Sequence, residues 1–494
     1  MIELTFEEKQ IFSIFQKTLS KFNITKTEVR VAGGFVRDKL LGKESSDIDI
    51  VLSDMTGQQF VTLFGWNANI VKSNPDQSKH LETAIVKMLG KSIDIVNLRS
   101  ENYTDSRIPQ MQFGSPLQDA VRRDLTVNAI FLNITDPGNI FIEDLVGGVE
   151  DLKNKIAKTP LDPVQTFLDD PLRILRAVRF CARFDLTPDP AMIKAANLPE
   201  VQDAFKKKIS KERIWNELAG SGDKLGFLNS PNPLRAIELI CEFGFRDILF
   251  FPYDTEGLLT SFDMEQNNIH HDLTVWDHTV AALKYLLTEI EFTGGSEEFL
   301  IRNLALLFHD LGKLDSRYKQ VKEDGTNSFH NHEVASTYWC EQILTKQLLA
   351  PKHITERVCK LIANHCRCLM LDSDSSDKSL RRLMKDLGDD WRNLLDISLS
   401  DAYGKNLNKN NHKIKALFKE AKSRMDGLLT YQNNSTAPIR PINGFDLIAA
   451  GFSPGILMGK IFDVIDEELL ENPELSKEQA LDIAKKVVAN VNPI

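Results

Sequence analysis

The stretch Val31-Ala-Gly-Gly-Phe-Val-Arg-Asp38, with Asp47-Ile-Asp49 shortly after it, decides the fold of the N-terminal part of this chain. Residues 29 to 32 predict a short β-strand, and the paired glycines allow a sharp turn whose backbone N–H groups can approach a polyphosphate. Residues 35 to 41 predict a helix, and residues 48 to 52 predict a second strand. The sequence therefore predicts a phosphate-binding turn between a strand and a helix.

Asp47 and Asp49 are two residues apart, so the alternation of a strand places both carboxylates on one face. Two such carboxylates can hold a pair of Mg²⁺ ions roughly 3.5–4 Å apart, one activating a hydroxyl and one neutralising a leaving pyrophosphate. Gly33, Gly34 and Arg37 would then bind the triphosphate. The predicted reaction is nucleotidyl transfer, with Asp47 and Asp49 as catalytic residues. A lone D-x-D pattern would also fit solvated acidic residues at a strand end.

A hairpin is predicted next, with strands near residues 83 to 88 and 92 to 96 around Gly90. Asp94 alternates with Ile93 and Ile95 on the second of these strands. It either supplies a third carboxylate to the same site or faces solvent, and the sequence leaves both alternatives open.

Composition places the chain among ordinary proteins of about three domains. Of its 494 residues, 42% are hydrophobic and 26% are charged, and no apolar run approaches the ~20 residues of a membrane span. The acidic N-terminal residues 1 to 8 show neither a secretory signal nor a transit peptide, so a cytoplasmic location without membrane partners is expected. The six scattered cysteines indicate reduced thiols.

The formal net charge of −10 is unfavourable for binding nucleic acid, because phosphate contacts need Lys and Arg. Residues 173 to 213 nevertheless form a locally basic stretch. That stretch predicts a nucleic-acid-binding surface. The alternative is a solvated helical face, and charge alone does not distinguish the two.

A second polar motif is Val121-Arg-Arg-Asp-Leu-Thr-Val-Asn128, ahead of a strand predicted over residues 126 to 132. Asp124 can accept from a ribose hydroxyl, and Arg123 can contact a triphosphate. The alternative is a structural pair between an arginine and an aspartate on the surface.

The elements G-G-x-V-R-D, D-I-D and R-R-D-x-T-x-N, in this order, resemble the head of class II tRNA nucleotidyltransferases, the CCA-adding enzymes, and of bacterial poly(A) polymerases. The resemblance implies a polymerase-β-like head that uses Mg²⁺, ATP and CTP and acts on tRNA. The polar residues 98 to 109, predicted to be a loop, resemble the flexible loop of family members that complete the end with adenosine. Their presence favours full CCA addition.

The basic stretch begins in Phe167-Leu-Asp-Asp-Pro-Leu-Arg-Ile-Leu-Arg-Ala-Val-Arg-Phe180, which predicts one helix. Asp170 and Arg173 are three apart and can share a face, where carboxylate and guanidinium would match the base edge common to C and A. Asp170 before a proline is also an ordinary helix start. Resemblance to the family's E/D-D-x-x-R element favours base selection, with Arg176 and Arg179 contacting phosphates. Residues 209 to 218 resemble the next element of the family. That resemblance implies that Glu212 and Arg213 brace the helix that carries Asp170 and Arg173.

A different chemistry follows residue 265. His278, the adjacent pair His309-Asp310 and Asp401 resemble the ligands of the HD phosphohydrolase superfamily, and such ligands suit Mg²⁺, Mn²⁺, Ni²⁺ or Fe. His332 and His365 are candidates for a second metal position, and one or two metals remain possible. In His365-Cys366-Arg367-Cys368, a C-x-C spacing without a second pair favours core or surface thiols over a zinc knuckle.

The predicted fold class is α+β: a small mixed-sheet head over residues 1–158, an all-α neck over 159–262, an HD domain over 263–410, and a helical linker and tRNA-binding tail over 411–494. The predicted function is template-independent addition and repair of the 3′-terminal CCA of tRNA, with a possible HD phosphohydrolase activity. Alternatives are a poly(A) polymerase, a partial CC- or A-adding enzyme, and a regulatory nucleotidyltransferase coupled to an HD hydrolase. The sequence leaves the oligomeric state open.

Overall fold

The computed structural model divides into two compact units, Met1–Phe251 and Pro252–Ile494. It describes residues 2–45, 47–71, 82–102, 110–222, 224–253, 255–268, 273–289, 295–371, 375–405, 411–434, 440–469, 472 and 474–491. The first unit contains a mixed sheet followed by helices, and the second is mainly helical. The predicted α+β class is confirmed.

The sheet of the first unit has seven strands in the order β3-β4-β5-β2-β1-β8-β9. Strand β1 pairs antiparallel with β2 and β8, whereas β2 and β5 are parallel. The strand bounds are β1 Val29–Ala32, β2 Asp47–Leu52, β3 Asn69–Val71, β4 Thr83–Met88, β5 Lys91–Asn97, β6 Arg99–Asn102, β7 Gln110–Phe113, β8 Phe131–Asp136 and β9 Asn139–Glu143. The predicted hairpin around Gly90 is confirmed by β4 and β5.

The helices of the first unit cover the sheet and build the neck. Their bounds are α1 Phe6–Lys21, α2 Gly34–Leu40, α3 Gly57–Phe64, α4 Pro116–Val121, α5 Gly148–Lys153, α6 Pro163–Asp169, α7 Arg173–Phe184, α8 Pro190–Ala196, α9 Pro199–Lys208, α10 Lys211–Ala219, α11 Pro233–Glu242 and α12 Arg246–Phe250. Two-residue strands accompany them: β10 Ile156–Ala157, β11 Thr187–Pro188, β12 Gly220–Ser221 and β13 Lys224–Leu225. Helix α1 begins with the expected capping box, since Thr5 and Glu8 bond to each other's backbone N–H groups.

Two predicted elements near the head motifs are wrong in part. The strand predicted over residues 126 to 132 starts only at Phe131, because residues 126 to 128 form a 3₁₀ turn. The Thr126 hydroxyl donates to Asp151 and the Asn128 amide donates to Asp124, and such local bonds compete with strand pairing. The loop predicted over residues 98 to 109 contains β6, which pairs with β7, while residues 103–109 lie outside the described part of the chain.

The helix predicted over residues 167 to 180 is two helices, α6 and α7. Asp170 between them has extended backbone angles of φ −140° and ψ 96°. The residue before a proline is driven out of the helical region by the proline ring, which explains the break before Pro171. The Asp170 carboxylate accepts from the Leu172 N–H at 3.2 Å, which stabilises the turn that leads into α7, whereas the N-cap position itself is Leu172.

The second unit is built from helices α13 Val275–Glu289, α14 Glu297–Phe308, α15 His332–Gln342, α16 Lys352–Asn364, α17 Asp377–Leu387, α18 Trp391–Gly404, α19 Asn411–Asn434, α20 Gly444–Ala449, α21 Ile456–Leu469 and α22 Lys477–Val491. A two-stranded ribbon, β14 Gln320–Val321 with β15 Asn327–Ser328, precedes α15. Within the described residues, no helix is long and apolar enough to cross a bilayer.

Helices α13 and α18 approach each other closely at Gly404. A Cβ added there would lie 2.8 Å from the Cβ of Ala282, a distance that real Cβ atoms do not show. This contact sets the separation of the two helices that carry His278 and Asp401.

We therefore predict that Gly404→Ala forces α13 and α18 apart and lowers the free energy of unfolding by about 1–3 kcal/mol. The matched control is Gly427→Ala in α19, where an added Cβ meets nothing within 4 Å. There the better helix propensity of alanine should stabilise by about 0.5–1 kcal/mol. Chemical denaturation of both variants measures the difference, and equal effects would contradict the steric explanation.

Candidate active sites

Three carboxylates meet at the edge formed by β2 and β5. Asp47 and Asp49 are exposed, whereas Ile48 and Ile50 are fully buried, as the predicted alternation requires. Asp94 lies directly opposite Asp49 in the parallel register. The structure thus places Asp94 with the predicted pair.

The electrostatics of these carboxylates favour a bound cation. Although the Asp49 side chain is accessible from solvent, the protein around it desolvates the carboxylate and raises its pKa, and the nearby Asp47 raises that pKa further. The pKa of Asp94 is raised by burial first and then by Asp49 and Asp47. Because like charges repel at short range, a cation among them would relieve an unfavourable arrangement.

Gly33 and Gly34 form the turn that leads into α2, as predicted. Gly33 has φ +65°, and a Cβ there would lie 2.8 Å from Nη1 of Arg123 and 3.3 Å from the Asn128 carbonyl oxygen. Val31 pairs with Ile50, so the turn follows at the end of β1 that lies beside Asp49. A glycine is therefore needed for both conformation and space.

A chain of polar contacts runs from α2 to α7. Nη1 of Arg37 donates to Oδ1 of Asn128, whose amide donates to Oδ1 of Asp124 at 3.0 Å. Nε of Arg176 donates to Oδ2 of Asp124 at 2.8 Å. Burial acts to raise the pKa of Asp124, but Arg176 and the hydrogen bonds outweigh it and hold that pKa well below its usual range. Asp124, predicted to bind a ribose hydroxyl, lies between the Asn128 amide and the Arg176 guanidinium.

A second ionic cluster is centred on the fully buried Asp119. Nη2 of Arg123 lies 2.8 Å from Oδ2 of Asp119, and Arg122 donates to Oδ1. Nη1 of Arg122 also lies 3.1 Å from Oε1 of Glu101, while Arg173 lies 4.0 Å from Oε2. The cluster connects the β6–β7 ribbon to the first residue of α7.

Asp170 and Arg173, predicted to read the base, both have hydrogen-bond partners within the protein, and the partner of Asp170 is the predicted bracing residue Arg213. The Asp170 carboxylate accepts from Nη2 of Arg213 at 2.8 Å and from Nη1 at 3.3 Å. The Arg173 guanidinium donates to the carbonyl oxygens of Thr166 and Arg122. The backbone N–H of Arg173 donates to the Asp170 carbonyl at 3.0 Å, so the two residues are adjacent.

Two further arginines of α7, Arg176 and Arg179, pair with carboxylates. Nε of Arg179 donates to Oε2 of Glu217 at 2.6 Å, and Nη1 of Arg176 lies 3.8 Å from Oε1 of the same glutamate. The side chain of Arg176 is 37% exposed, so part of it can reach a ligand, whereas that of Arg179 is 10% exposed.

Sequence reasoning missed several charged and polar residues of this region, namely Glu101, Asp119, Asn128, Glu217 and Lys224. The charge of Lys224, on β13, lowers the pKa of Asp49 and of Asp94. No spacing rule could have revealed Lys224, because it comes from a two-residue strand far along the chain. Asn128 had a signal, since it closes the quoted R-R-D-x-T-x-N element.

The second unit brings the four HD candidates together from α13, from α18 and from the turn that follows α14. The ligand atoms of His278, His309, Asp310 and Asp401 all lie within 4.8 Å of one another, and all four residues are buried. Nε2 of His278 is 3.0 Å from Oδ1 of Asp401 and 3.2 Å from Oδ2 of Asp310. This compact set of imidazoles and carboxylates fits a divalent metal.

The histidine rings around this set are locked by the backbone. Nδ1 of His309, His332 and His365 lies 2.7, 2.9 and 2.6 Å from the carbonyl oxygen three residues earlier. A carbonyl only accepts, so Nδ1 must carry the proton and each Nε2 presents a lone pair in the neutral ring. Such orientation by an outer hydrogen bond is typical of metal-binding histidines.

The carboxylates of Asp310 and Asp401 favour positive charge on the neighbouring His309. Burial lowers the pKa of His309, but Asp310 and Asp401 outweigh burial and raise it to about 10. Oδ1 of Asp310 points away from this first group and lies 3.1 Å from Nε2 of His332. Asp310 is therefore placed between two ligand groups.

A cavity of about 260 Å³ opens over these residues. Its lining includes Asp310, His332, His365 and Asp401, and it also includes the three cations Lys313, Lys322 and Lys405. Lysines around a cavity that is also lined by candidate metal ligands suit an anionic ligand.

Comparison with known proteins gives the family. The Poly A polymerase head domain family matches residues 29–158. The CCA tRNA nucleotidyltransferase, mitochondrial, of Saccharomyces cerevisiae is 30% identical over 93% of this chain and 88% of that protein. A tRNA nucleotidyltransferase of Schizosaccharomyces pombe is 30% identical over 98% of this chain and 96% of its own length.

The chain belongs to the CCA tRNA nucleotidyltransferase family. The resemblance recognised from the sequence is thereby confirmed. The fold agrees: a solved CCA-adding enzyme in an apo form matches with a TM-score of 0.62 and 20% identity over 99% of this chain and 96% of that chain. Solved CCA-adding enzymes in complex with CTP and with ATP have TM-scores of 0.60 and 0.61.

The buried Asp119 cluster gives a stability prediction for this family member. Asp119→Ala leaves Arg122 and Arg123 without their shared carboxylate, and the loss of one partner from a buried ion pair costs about 3–5 kcal/mol. The control is Glu150→Ala in the same head, because Glu150 and Lys153 form an exposed pair 3.9 Å apart. Thermal and denaturant unfolding should separate the two variants, and a loss below about 1 kcal/mol for Asp119→Ala would contradict the cluster's structural role.

Proposed function

We propose that the chain builds and repairs the 3′-terminal CCA of tRNA from CTP and ATP, with Asp47 and Asp49 as the catalytic carboxylates. The observation that carries the proposal is the exposed pair on β2, with Asp94 in register beside it and the Gly33 turn at the same strand end. Family membership over nearly the full length supports tRNA, CTP and ATP as partners.

Asp47 and Asp49 would hold Mg²⁺, which supplies activation of the tRNA 3′-hydroxyl and charge neutralisation of the leaving pyrophosphate. The raised pKa of Asp49 and the three clustered carboxylates support a cation at this edge. Gly33, Gly34, Arg37 and Arg123 would hold the triphosphate.

Base choice is assigned to Asp170 and Arg173 at the junction of α6 and α7. Burial acts to raise the pKa of Asp170, but Arg213 outweighs it and, with Arg173, lowers that pKa, so the carboxylate stays ionised. An ionised carboxylate can accept from the exocyclic amine that C and A share and that U lacks. Arg213 would hold this carboxylate in place, and Asp124, Arg176 and Arg179 would complete the nucleotide-binding region.

The second unit is proposed to be a metal-dependent phosphohydrolase centre. His278, His309, Asp310 and Asp401 would hold the first metal, and His332 and His365 would contribute to a second. Lys313, Lys322 and Lys405 around the cavity would attract a phosphate group.

We keep the domain partition predicted from the sequence: head 1–158, neck 159–262, HD domain 263–410 and tail 411–494.

The Saccharomyces cerevisiae relative is named a mitochondrial enzyme, whereas the Schizosaccharomyces pombe relative is not. A cytoplasmic location of this chain therefore stays a prediction.

The experiment that tests the proposed function uses tRNA transcripts ending in N, NC and NCC, each with one nucleoside triphosphate at a time. We expect C to be added to the first two transcripts and A to the third. Addition of A alone to any RNA would identify a poly(A) polymerase, and addition that stops after CC would identify a partial enzyme.

The carboxylate pair is tested by Asp47→Ala and Asp49→Ala. Loss of the metal-holding groups should reduce nucleotide addition to below about one-thousandth of wild type, because metal activation supplies several kcal/mol of transition-state stabilisation. Asp54→Ala, an exposed aspartate just after β2, is the control and should stay active. Hydrolysis of 2′,3′-cyclic nucleotides by the HD centre should persist in Asp47→Ala and in Asp49→Ala, and its loss would contradict the assignment of two independent sites.

The positioning role of Arg213 is tested by Arg213→Gln. A charge-assisted hydrogen bond is worth about 1.5–3 kcal/mol, so release of Asp170 should reduce discrimination of CTP over UTP by about 10- to 100-fold. Arg235→Gln in the same neck is the control, since Arg235 pairs with Glu238 and Glu242 on its own helix. The ratio of kcat/KM for the two nucleotides is the readout, because a fall in stability alone would lower both values equally.

A further inference from the structure

Cys366 lies in the second metal-capable group of the HD centre. The ligand atoms of His332, His365 and Cys366 all lie within 4.8 Å of one another. Sγ of Cys366 is 3.3 Å from Nε2 of His365. Residues 365 to 370 form a 3₁₀ helix directly after α16, and this turn brings the thiol beside the imidazole.

The neighbouring Cys368 shows what a structural thiol looks like in the same turn. Cys368 is fully buried and interacts with the Ser398 hydroxyl. Cys366 is partly exposed and lines the same cavity as Asp310, His332 and His365. The two thiols of the C-x-C pair therefore lie in different environments, which fits the prediction that they do not form a zinc knuckle together. Cys366 lies beside two histidines instead.

Two imidazole nitrogens beside Cys366 present lone pairs, and the neutral thiol can donate its proton to one of them, Nε2 of His365. Nδ1 of His332 and of His365 is occupied by a carbonyl, so both Nε2 atoms face the cavity as acceptors. Nε2 of His332 is buried without a hydrogen-bond partner among the described residues, although Oδ1 of Asp310 lies 3.1 Å away. An imidazole lone pair facing a carboxylate is unfavourable until a cation lies between them.

We propose that Cys366 is a thiolate ligand of the second metal position and that this position binds Zn²⁺ together with His332 and His365. Oδ1 of Asp310 lies beside this group, 3.1 Å from Nε2 of His332, and is the nearby carboxylate oxygen. A set of two imidazole nitrogens and one sulfur, with a carboxylate oxygen nearby, suits zinc, whereas Mg²⁺ prefers six oxygen ligands. On binding, the zinc–sulfur bond forms and the thiol proton passes to solvent.

The inference rests on the proposed HD metal centre and deepens it. The first position, built from His278, His309, Asp310 and Asp401, offers nitrogen and oxygen only. The second would differ from it by one sulfur, so the two positions should prefer different metals. Soft thiolate ligands select zinc over hard cations such as Mg²⁺ and Mn²⁺.

The test uses the full-length protein stripped of metal with a chelator and then loaded with Co²⁺ as a spectroscopic substitute for zinc. Wild type should develop a thiolate-to-cobalt charge-transfer absorption in the near ultraviolet, which Zn²⁺ then abolishes by displacement. Cys366→Ser should lack that absorption and bind about one zinc fewer per chain. Cys368→Ser is the matched control, two residues away in the same turn, and should keep both signals.

A second measurement needs no variant. Zinc should protect Cys366 from alkylation by iodoacetamide, as mass spectrometry of the peptides reports, while the labelling of the partly exposed Cys241 should not change. Circular dichroism of Cys366→Ser checks that the variant is folded.

The outcomes separate this inference from the proposed function. Cobalt bound at the HD centre without sulfur absorption, or absorption that survives Cys366→Ser, would overturn the thiolate assignment and leave the metal centre intact. Absence of any bound metal, with Cys366 equally reactive in zinc and in chelator, would overturn both the metal centre and the inference.

Discussion

Repulsion between like charges on neighbouring strands is the constraint on which the head depends. The parallel register of β2 and β5 sets Asp49 directly opposite Asp94, with Asp47 two residues away on the same face. A protein gains no stability from such an arrangement. The buried isoleucines that alternate with these residues fix the register. Their packing offsets the repulsion among the carboxylates, which a bound cation would relieve.

Several buried charges of the first unit are held by polar contacts that cross from one element to another. Arg37, Asn128, Asp124 and Arg176 connect α2 to α7, and Arg179 continues the connection to Glu217 on α10. These contacts join residues from the head motifs to residues from the neck. Their directional bonds position the arginines of α7 more precisely than apolar packing would.

The sequence predicted the parts of this architecture whose signals are local. Helix α1, the β4–β5 hairpin and the alternation in β2 follow from capping and periodicity over a few residues. The strand β6 could not be found in this way, because its partner β7 lies beyond residues 103–109. Proline sterics, applied strictly at Pro171, would have revealed the break between α6 and α7.

The candidate sites show the same division. The HD histidines and aspartates were recognised as a pattern, and the structure brings them together from separate helices. The partners of Asp170 and Asp124 were not predictable in detail, since Arg213 and Arg176 reach them across the neck from 43 and 52 residues away. Lys224 shows the limit most clearly, because it acts on Asp49 through space and has no neighbouring motif.

Asp310 has one oxygen toward His278 and His309 and the other toward His332. In the proposed metal centre a single side chain would thus serve two metal positions, so that a substitution of Asp310 would alter both of them at once. A difference in metal preference between the two positions would therefore have to come from the residues that they do not share.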